Sequence, residues 1–417
     1  MIDKIRKIYD EYPRRFWVLV GVGFVDSIGG TLLFPYFSLY ITSKFHVGMT
    51  EAGLLLGIFS IMGLVGSMLG GALTDKFGRK SIMLLGLVFS ALSELSMGLV
   101  NNLTVFYLLA IIVGLLSNIG GPANQAMIAD ILPEKQRSTG FGIMRVVNNF
   151  TWIIGPTIGG FVANRSYMAL FIIDTVFSLV TAALVFKFVA ETKPEASSTA
   201  QQETILQTLR GYLLVLKDKL YLAFILVSMI MLLVYTQMYS TLSVFMRDDR
   251  GIDPQGYGML LSVSAVLVIV AQFWVTRKTK DFPPMLMMAF GTFFYAIGFS
   301  MFGFIRPLWL FMAATLIITV GEMIVVPTGQ ALVARFAPEN MRGRYMATYG
   351  LAWTLPQAIA PTAAGIIMDH FDPSWVWYLG GIISLVAILG FLLLNRHVPA
   401  AKNNEISMDE IEVPPLL

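Results

Sequence analysis

Pro122-Ala123-Asn124-Gln125-Ala126-Met127-Ile128-Ala129-Asp130-Ile131-Leu132-Pro133-Glu134-Lys135-Gln136-Arg137 has a counterpart 205 residues further on. It is Pro327-Thr328-Gly329-Gln330-Ala331-Leu332-Val333-Ala334-Arg335-Phe336-Ala337-Pro338-Glu339-Asn340-Met341-Arg342. The same offset runs on without a gap to Gly160 and Gly365, laying Ile154 on Ile359 and Pro156-Thr157 on Pro361-Thr362; 11 of 39 aligned positions are identical. One unit is therefore used twice. Two parallel copies imply a pseudo-two-fold axis along a membrane normal, with a binding site at mid-membrane between them. Duplication of this kind belongs to transporters more than to receptors or intramembrane enzymes.

The surrounding composition demands a membrane. Apolar residues make up 56% of the 417 and charged residues 13%, against ~45–50% and ~25% in soluble domains. That much apolar surface cannot face one soluble core, but it fills about a dozen spans of ~20 residues. A soluble enzyme and a disordered chain are excluded. The 29 Lys and Arg balance 26 Asp and Glu with no basic block, which excludes a nucleic-acid binder. The absence of cysteine removes disulfides, thiolate catalysis and thiolate metal sites.

Charge-free windows at 52–74, 146–164, 220–246, 254–276, 282–305, 345–368 and 373–395 are each long enough to cross a bilayer. The stretch 95–129 is too long for one span, and Asn101-Asn102 marks a turn inside it. Four further windows carry one acid each: Asp26 in 16–41, Glu94 in 81–100, Asp174 in 167–186 and Glu322 in 307–334. The count is twelve helices, because runs this continuous lack the alternation of a membrane barrel. With the N-terminus in the cytoplasm, inside segments hold 23 Lys and Arg and outside segments 5, so a multi-pass protein of the inner (cytoplasmic) membrane with both termini in the cytoplasm is expected. The polar stretch 191–219 separates six spans from six. The expected organisation is thus an N-terminal six-helix bundle over 1–190, a cytoplasmic linker over 191–219, a C-terminal bundle over 220–398 and a disordered tail over 399–417. Residues 203–217 could form an amphipathic surface helix within the linker.

Between the second and third spans the chain reads Gly71-Ala72-Leu73-Thr74-Asp75-Lys76-Phe77-Gly78-Arg79-Lys80. This resembles the G-x-L-x-D-x-x-G-R-K loop of the major facilitator superfamily. In the fifth span, Gly155-Pro156-Thr157-Ile158-Gly159-Gly160 resembles the G-P-x-x-G-G element of its drug/proton antiporter branch. Thr31-Leu32-Leu33-Phe34-Pro35 and Gly321-Glu322 with Pro327 are similar to multidrug members of that branch. The resemblance spans residues 12–398 and implies an all-α membrane protein of twelve transmembrane helices in two pseudo-symmetric bundles. It implies a conformational latch of Gly71, Asp75, Gly78 and Arg79 with Asp130 and, across the halves, Arg342 or Arg344. Gly155, Pro156, Gly159 and Gly160 would let helices approach closely. The branch carries an arginine in the fourth span, where 107–121 has none; Arg145 in the fifth span is the candidate substitute.

An ionisable group in lipid costs about 2.5–3.5 kcal/mol on insertion scales, so each retained acid needs a reason. Asp26 lies near the midplane on a face continued by Gly30, Leu33, Phe34 and Phe37, suited to a proton site beside an aromatic pocket. Glu322 sits at similar depth in the tenth span. Asp174 and Glu94 fall on spans that are peripheral in this fold, so a structural or snorkelling role is expected for both, with Asp174 kept as a candidate proton group. Arg145, Asn148, Asn149 and Trp152 share one stripe of the fifth span and would line water or substrate. Arg145 could pair with Asp26 or with Asp130. Asn118, Gln125, Tyr235, Gln237, Tyr239, Tyr349 and Trp353 complete the candidate substrate cavity. No G-x-x-x-x-G-K-[ST] loop exists to bind ATP, and His46, His370 and His397 lie far apart, so neither a metal nor a cofactor is expected.

The reading is a secondary active transporter, not an enzyme. It would exchange protons for lipophilic or cationic drug-like compounds by alternating access, as a monomer whose partners are its small-molecule substrate, protons and the bilayer. The alternative is a proton-coupled symporter or flippase for a sugar, metabolite or lipid.

Overall fold

The computed structural model describes residues 9–193, 214–338 and 341–397. Twelve helices in chain order account for almost all of them: α1 Arg14–Phe45, α2 Met49–Phe77, α3 Arg79–Leu99, α4 Leu103–Ile131, α5 Glu134–Ala163 and α6 Tyr167–Phe188, then α7 Lys219–Ser240, α8 Pro254–Thr279, α9 Pro284–Phe304, α10 Leu308–Phe336, α11 Arg342–His370 and α12 Trp375–Asn395. Eleven are long and apolar enough to cross a membrane. The exception is α5, as long as the rest but carrying the polar stripe that begins at Arg145. It starts twelve residues before the apolar window at 146. Hydropathy marks only the stretch suited to lipid, whereas the helical hydrogen-bond ladder runs on into water. Most of the expected linker helix at 203–217, the tail at 399–417 and repeat position Glu339 lie outside the described residues.

Local sequence explains the breaks. Pro35 lacks the N–H an α-helix needs, and α1 narrows to a 3₁₀ turn at Phe34–Tyr36. The Tyr36 hydroxyl donates to the carbonyl of Pro156 on α5. The expected turn at Asn101-Asn102 is a helix start, with the Asn102 side chain accepting from the Val105 N–H at 3.1 Å. Helix α7 is stepped after Tyr235 and continues beyond Ser240 as Leu242–Asp248.

Helices α1–α6 pack among themselves, as do α7–α12, and the halves meet along two seams, α2 on α11 and α5 on α8. The repeat offset exchanges these seams, as a pseudo-two-fold requires. In lipid no hydrophobic effect drives helices together, so small residues and close backbones must hold them. Gly53 and Gly57 lie against Pro361, Thr362 and Ala358, while Gly160 and Gly258 lie against Pro254, Gln255 and Pro156. These approaches all fall in the half of the bundle remote from the start of α1. The start of α1 lies at the end that gathers Arg79, Lys80, Lys135, Arg137, Arg277, Lys278 and Arg342; we call it the basic end. Toward that end Arg145 and Asn148 of α5 and Gln330 of α10 are exposed.

Candidate functional site

Three cavities follow one another through the middle of the molecule. The first, about 130 Å³, lies between α5, α7, α8 and α10 and is lined by Asn149, Trp152, Tyr239, Ser264 and Glu322. The second, about 190 Å³, shares Trp152 and Tyr239 with it and adds Phe34, Phe59, Ser60, Tyr235, Trp353 and Gln357. The third, about 330 Å³, shares Phe34, Phe59, Ser60 and Gln357 with the second. It ends in the N-terminal half at Phe37, Glu94, Asn118 and Asp174. Shared wall residues set the three side by side in one row, the passage.

Its middle is aromatic. The Trp152 and Tyr239 rings meet edge to face at 5.3 Å across the halves, and Tyr235 lies 5.9 Å from Trp353. The Tyr235 and Tyr239 hydroxyls are 3.2 Å apart. The Tyr235 hydroxyl also stands beside the Glu322 carboxyl, which feels the positive charge of Arg145. Arg145 does not take the acids suggested for it in sequence. Its Nη1 donates to Gln330 Oε1 at 3.1 Å, crossing from one half to the other, whereas Asp130 is held by Arg79.

At the other pole, Asp26, Glu94 and Asp174 lie close enough for their charges to act on one another. The peripheral position of α3 and α6 suggested structural roles for the latter two, yet both carboxyls line the third cavity. They reach it because α6 packs against α1 at a residue with no side chain: Gly29 lies directly against the Asp174 carboxyl and Phe177. Gly30, Leu33, Phe34 and Phe37, the face following Asp26, line the same cavity. Among the described residues no three His, Asp or Glu side chains converge closely enough to hold a metal ion.

Some expected cavity residues are elsewhere. Tyr349 is buried in the C-terminal half, stacked on Phe224 at 6.0 Å. Tyr345, one turn before it on the same helix, packs on Tyr221 at 4.5 Å, so of Tyr345, Tyr349 and Trp353 only the last lines the passage. Gln237 is buried too, its amide donating to the carbonyls of Ala360 at 2.9 Å and Leu233 at 3.2 Å, where it ties the step in α7 to α11. Gln125 and Asn148 are exposed toward the basic end and line none of the three cavities. Phe59, Ser60 and Gln357 were missed, because neutral residues inside apolar spans carry no signal that separates cavity from lipid.

A family model described as Major Facilitator Superfamily matches residues 19–248 and 236–414. The chain belongs to the major facilitator superfamily. It is 27% identical over 406 residues to the Na(+), Li(+), K(+)/H(+) antiporter of Planococcus maritimus, covering 90% of this chain and 94% of that one. It is 23% identical over 397 residues to the quinolone resistance protein NorA of Staphylococcus aureus, covering 94% and 97%. In fold it resembles a POT family transporter solved with a thioalcohol conjugated peptide (TM-score 0.78, 14% identity, 93% and 97% covered). The nucleoside transporter NupG is equally similar (TM-score 0.78, 14% identity, 91% and 99% covered). Like its relatives, this facilitator is a multi-pass membrane transporter and not an enzyme.

The two ends of this facilitator are held differently. At the basic end Arg79 pairs with Asp75 at 3.4 Å and Asp130 at 3.1 Å, all within the N-terminal half, while Arg344 stands near the start of α11. Gly78, at φ +97°, makes the turn that only a residue without Cβ takes readily. Gly71 has open space at its Cβ position. Sequence reading missed Glu191, just past α6. Its carboxylate accepts the N–H groups of Arg79 at 2.9 Å and Lys80 at 3.1 Å at the start of α3, and those of Thr192 and Lys193 at 2.9 Å each. Burial works against its charge, but the donors from Arg79, Lys193, Lys80 and Thr192 outweigh it and hold the carboxyl below the usual carboxylate range.

The opposite end is clasped across the halves. The Asp369 carboxylate, from α11, accepts the Met49 N–H at 2.9 Å and the Thr50 N–H at 2.8 Å, capping α2. Arg247 donates to the Leu39 carbonyl at 3.3 Å, to Thr42 Oγ1 at 3.0 Å and to the Ser43 hydroxyl of α1. In the fifth helix, side chains at Gly155 and Gly159 would strike Thr31 and Leu32 of α1, and one at Gly160 would strike Pro254 of α8. The G-P-x-x-G-G element thus sits at both packing surfaces of α5.

Proposed function

We propose that this facilitator is a proton-coupled antiporter that expels lipophilic or cationic compounds by alternating access. The observation that carries this reading is Glu322 at the wall of an aromatic passage between the halves. Competition between a proton and a cation for one carboxyl couples their movements: each can be carried only when the other has left. Tyr235, Tyr239, Trp152 and Trp353 offer ring faces and edges to a flat apolar body, and a cation gains further from the ring quadrupoles. Asp26 and Asp174 would serve as additional proton groups, and the positive charge of Arg145 would act beside Glu322.

The 23-to-5 distribution of Lys and Arg supports a cytoplasmic position for the basic end. With the opposite end clasped and the basic end exposing Arg145 and Asn148, the conformation is the one that loads from inside the cell. The Asp75–Arg79–Asp130 cluster would latch onto the start of α11 when that end closes. The name of the Planococcus maritimus relative supports exchange against H(+), and that of NorA supports drug resistance as the outcome.

The test is efflux of a lipophilic monocationic dye from proteoliposomes under an imposed pH gradient. The wild type is expected to exchange dye for protons, and Glu322→Gln to lose at least about tenfold in rate, roughly the effect of removing one charge-assisted interaction of ~1.5–3 kcal/mol. Dye and protons moving in the same direction would replace antiport with symport.

A further inference from the structure

We propose that the passage is built for elongated dications, with one cationic head at Glu322 and the other at Glu94 and Asp174. This inference rests on the antiport reading and names its cargo more narrowly. Carboxyls stand at both ends of this row of adjoining cavities, and the walls between them are aromatic. A monocation can neutralise only one end.

The N-terminal pole is the more demanding. Asp174 is 3% exposed, faces the third cavity and makes no hydrogen bond or ion pair among the described residues. Glu94 accepts from the Ser90 hydroxyl at 2.7 Å through one oxygen and has the Ser178 hydroxyl beside it, while its other oxygen, Oε2, is fully buried and makes no close hydrogen bond. Buried carboxylate oxygens without donors are strongly disfavoured unless a ligand supplies the missing hydrogen bonds. No Lys or Arg among the described residues pairs with Asp26, Glu94 or Asp174, whereas Glu322 has Arg145 in its field. Two acids beside one cavity suit a fork-shaped head such as an amidinium, whose N–H groups can be shared between carboxyls. The ligand class is therefore two amidinium or guanidinium heads on an apolar, partly aromatic body.

The probe is a series of bis-benzamidines joined by alkyl chains of graded length, each compared with its mono-benzamidine. Binding to the full-length protein in detergent micelles is read by quenching of Trp152 and Trp353. For the wild type we expect a length optimum at which the bis compound binds about tenfold or more tightly than its mono counterpart. That advantage should vanish in Glu94→Gln/Asp174→Asn and in Glu322→Gln, each verified as folded by its helical circular dichroism. Equal binding of bis and mono compounds at every length would overturn the proposal without any variant. A bis advantage that survives neutralising the N-terminal pole would overturn it as well. Dye efflux by the same protein in proteoliposomes separates the two failures: if efflux persists without a bis advantage, only the dication inference falls, and if efflux is absent the antiport reading falls with it.

Discussion

Arg145 illustrates what a single side chain's surroundings decide. Its guanidinium donates across the halves to Gln330 at 3.1 Å, and its charge acts on Glu322, so it belongs to both the basic-end opening and the C-terminal carboxyl. Arg145→Gln removes both effects and is expected to slow dye exchange by about tenfold or more. Gln330→Ala removes only the crossing bond and should slow it less; equal losses in proteoliposome assays would show that the charge on Arg145 is irrelevant. The membrane acids stood out in sequence because each is expensive to keep in lipid. Their grouping did not, because the meeting of Asp26, Glu94 and Asp174 depends on how α1, α3 and α6 nest around Gly29 and Gly98. Aromatic stripes were ambiguous for a related reason. Residues four apart share a helix face, but that face is wide enough for Tyr349 to enter the core while Trp353 enters the passage.

Among elements, α3 begins on a cap from outside its own helix. Glu191→Gln should lower stability by about 1 kcal/mol or less, since an exposed cap is screened. Its folded carboxyl is held below the usual range, so the charge stabilises fully above the ordinary glutamate value and is lost as pH falls through the folded one. The difference in thermal midpoint between wild type and Glu191→Gln should therefore hold steady at neutral pH and shrink in acid; a gap that widened in acid would be the wrong sign. The α2–α11 seam invites a second test. A Cβ at Gly53 would stand 2.5 Å from the Pro361 carbonyl carbon and the Thr362 nitrogen. Gly53→Val should wedge the seam apart at a cost of about 1–3 kcal/mol, and inter-half spin-label distances at that end should lengthen. Helix number and order were legible because twenty apolar residues mark a span directly. The polar α5 was harder, since its water-facing stripe is the very feature that lowers its hydropathy.

For the molecule as a whole, the internal repeat carried most of the architecture, because a duplicated unit implies a symmetry axis and hence where the two halves meet. It could not reveal which end is shut, as that depends on individual side-chain contacts such as Asp369 with α2 and Arg247 with α1. Asp369→Asn combined with Arg247→Gln should favour the form opened at the clasped end, visible as longer label distances there and shorter ones at the basic end. Orientation is testable against a background free of cysteine: Ser81→Cys, at the basic end, should react with an impermeant maleimide in inverted vesicles and not in intact cells.

The Asp369 cap also furnishes a native clock for these movements. The Met49 and Thr50 amides have no acceptor within α2, so their protection from deuterium is supplied by a carboxylate of the other half. Whenever the halves part at that face, these two hydrogens meet solvent. Mass-spectrometric uptake at this one peptide should thus count excursions of the unlabelled transporter, faster when a ligand draws it outward and slower when it is held shut.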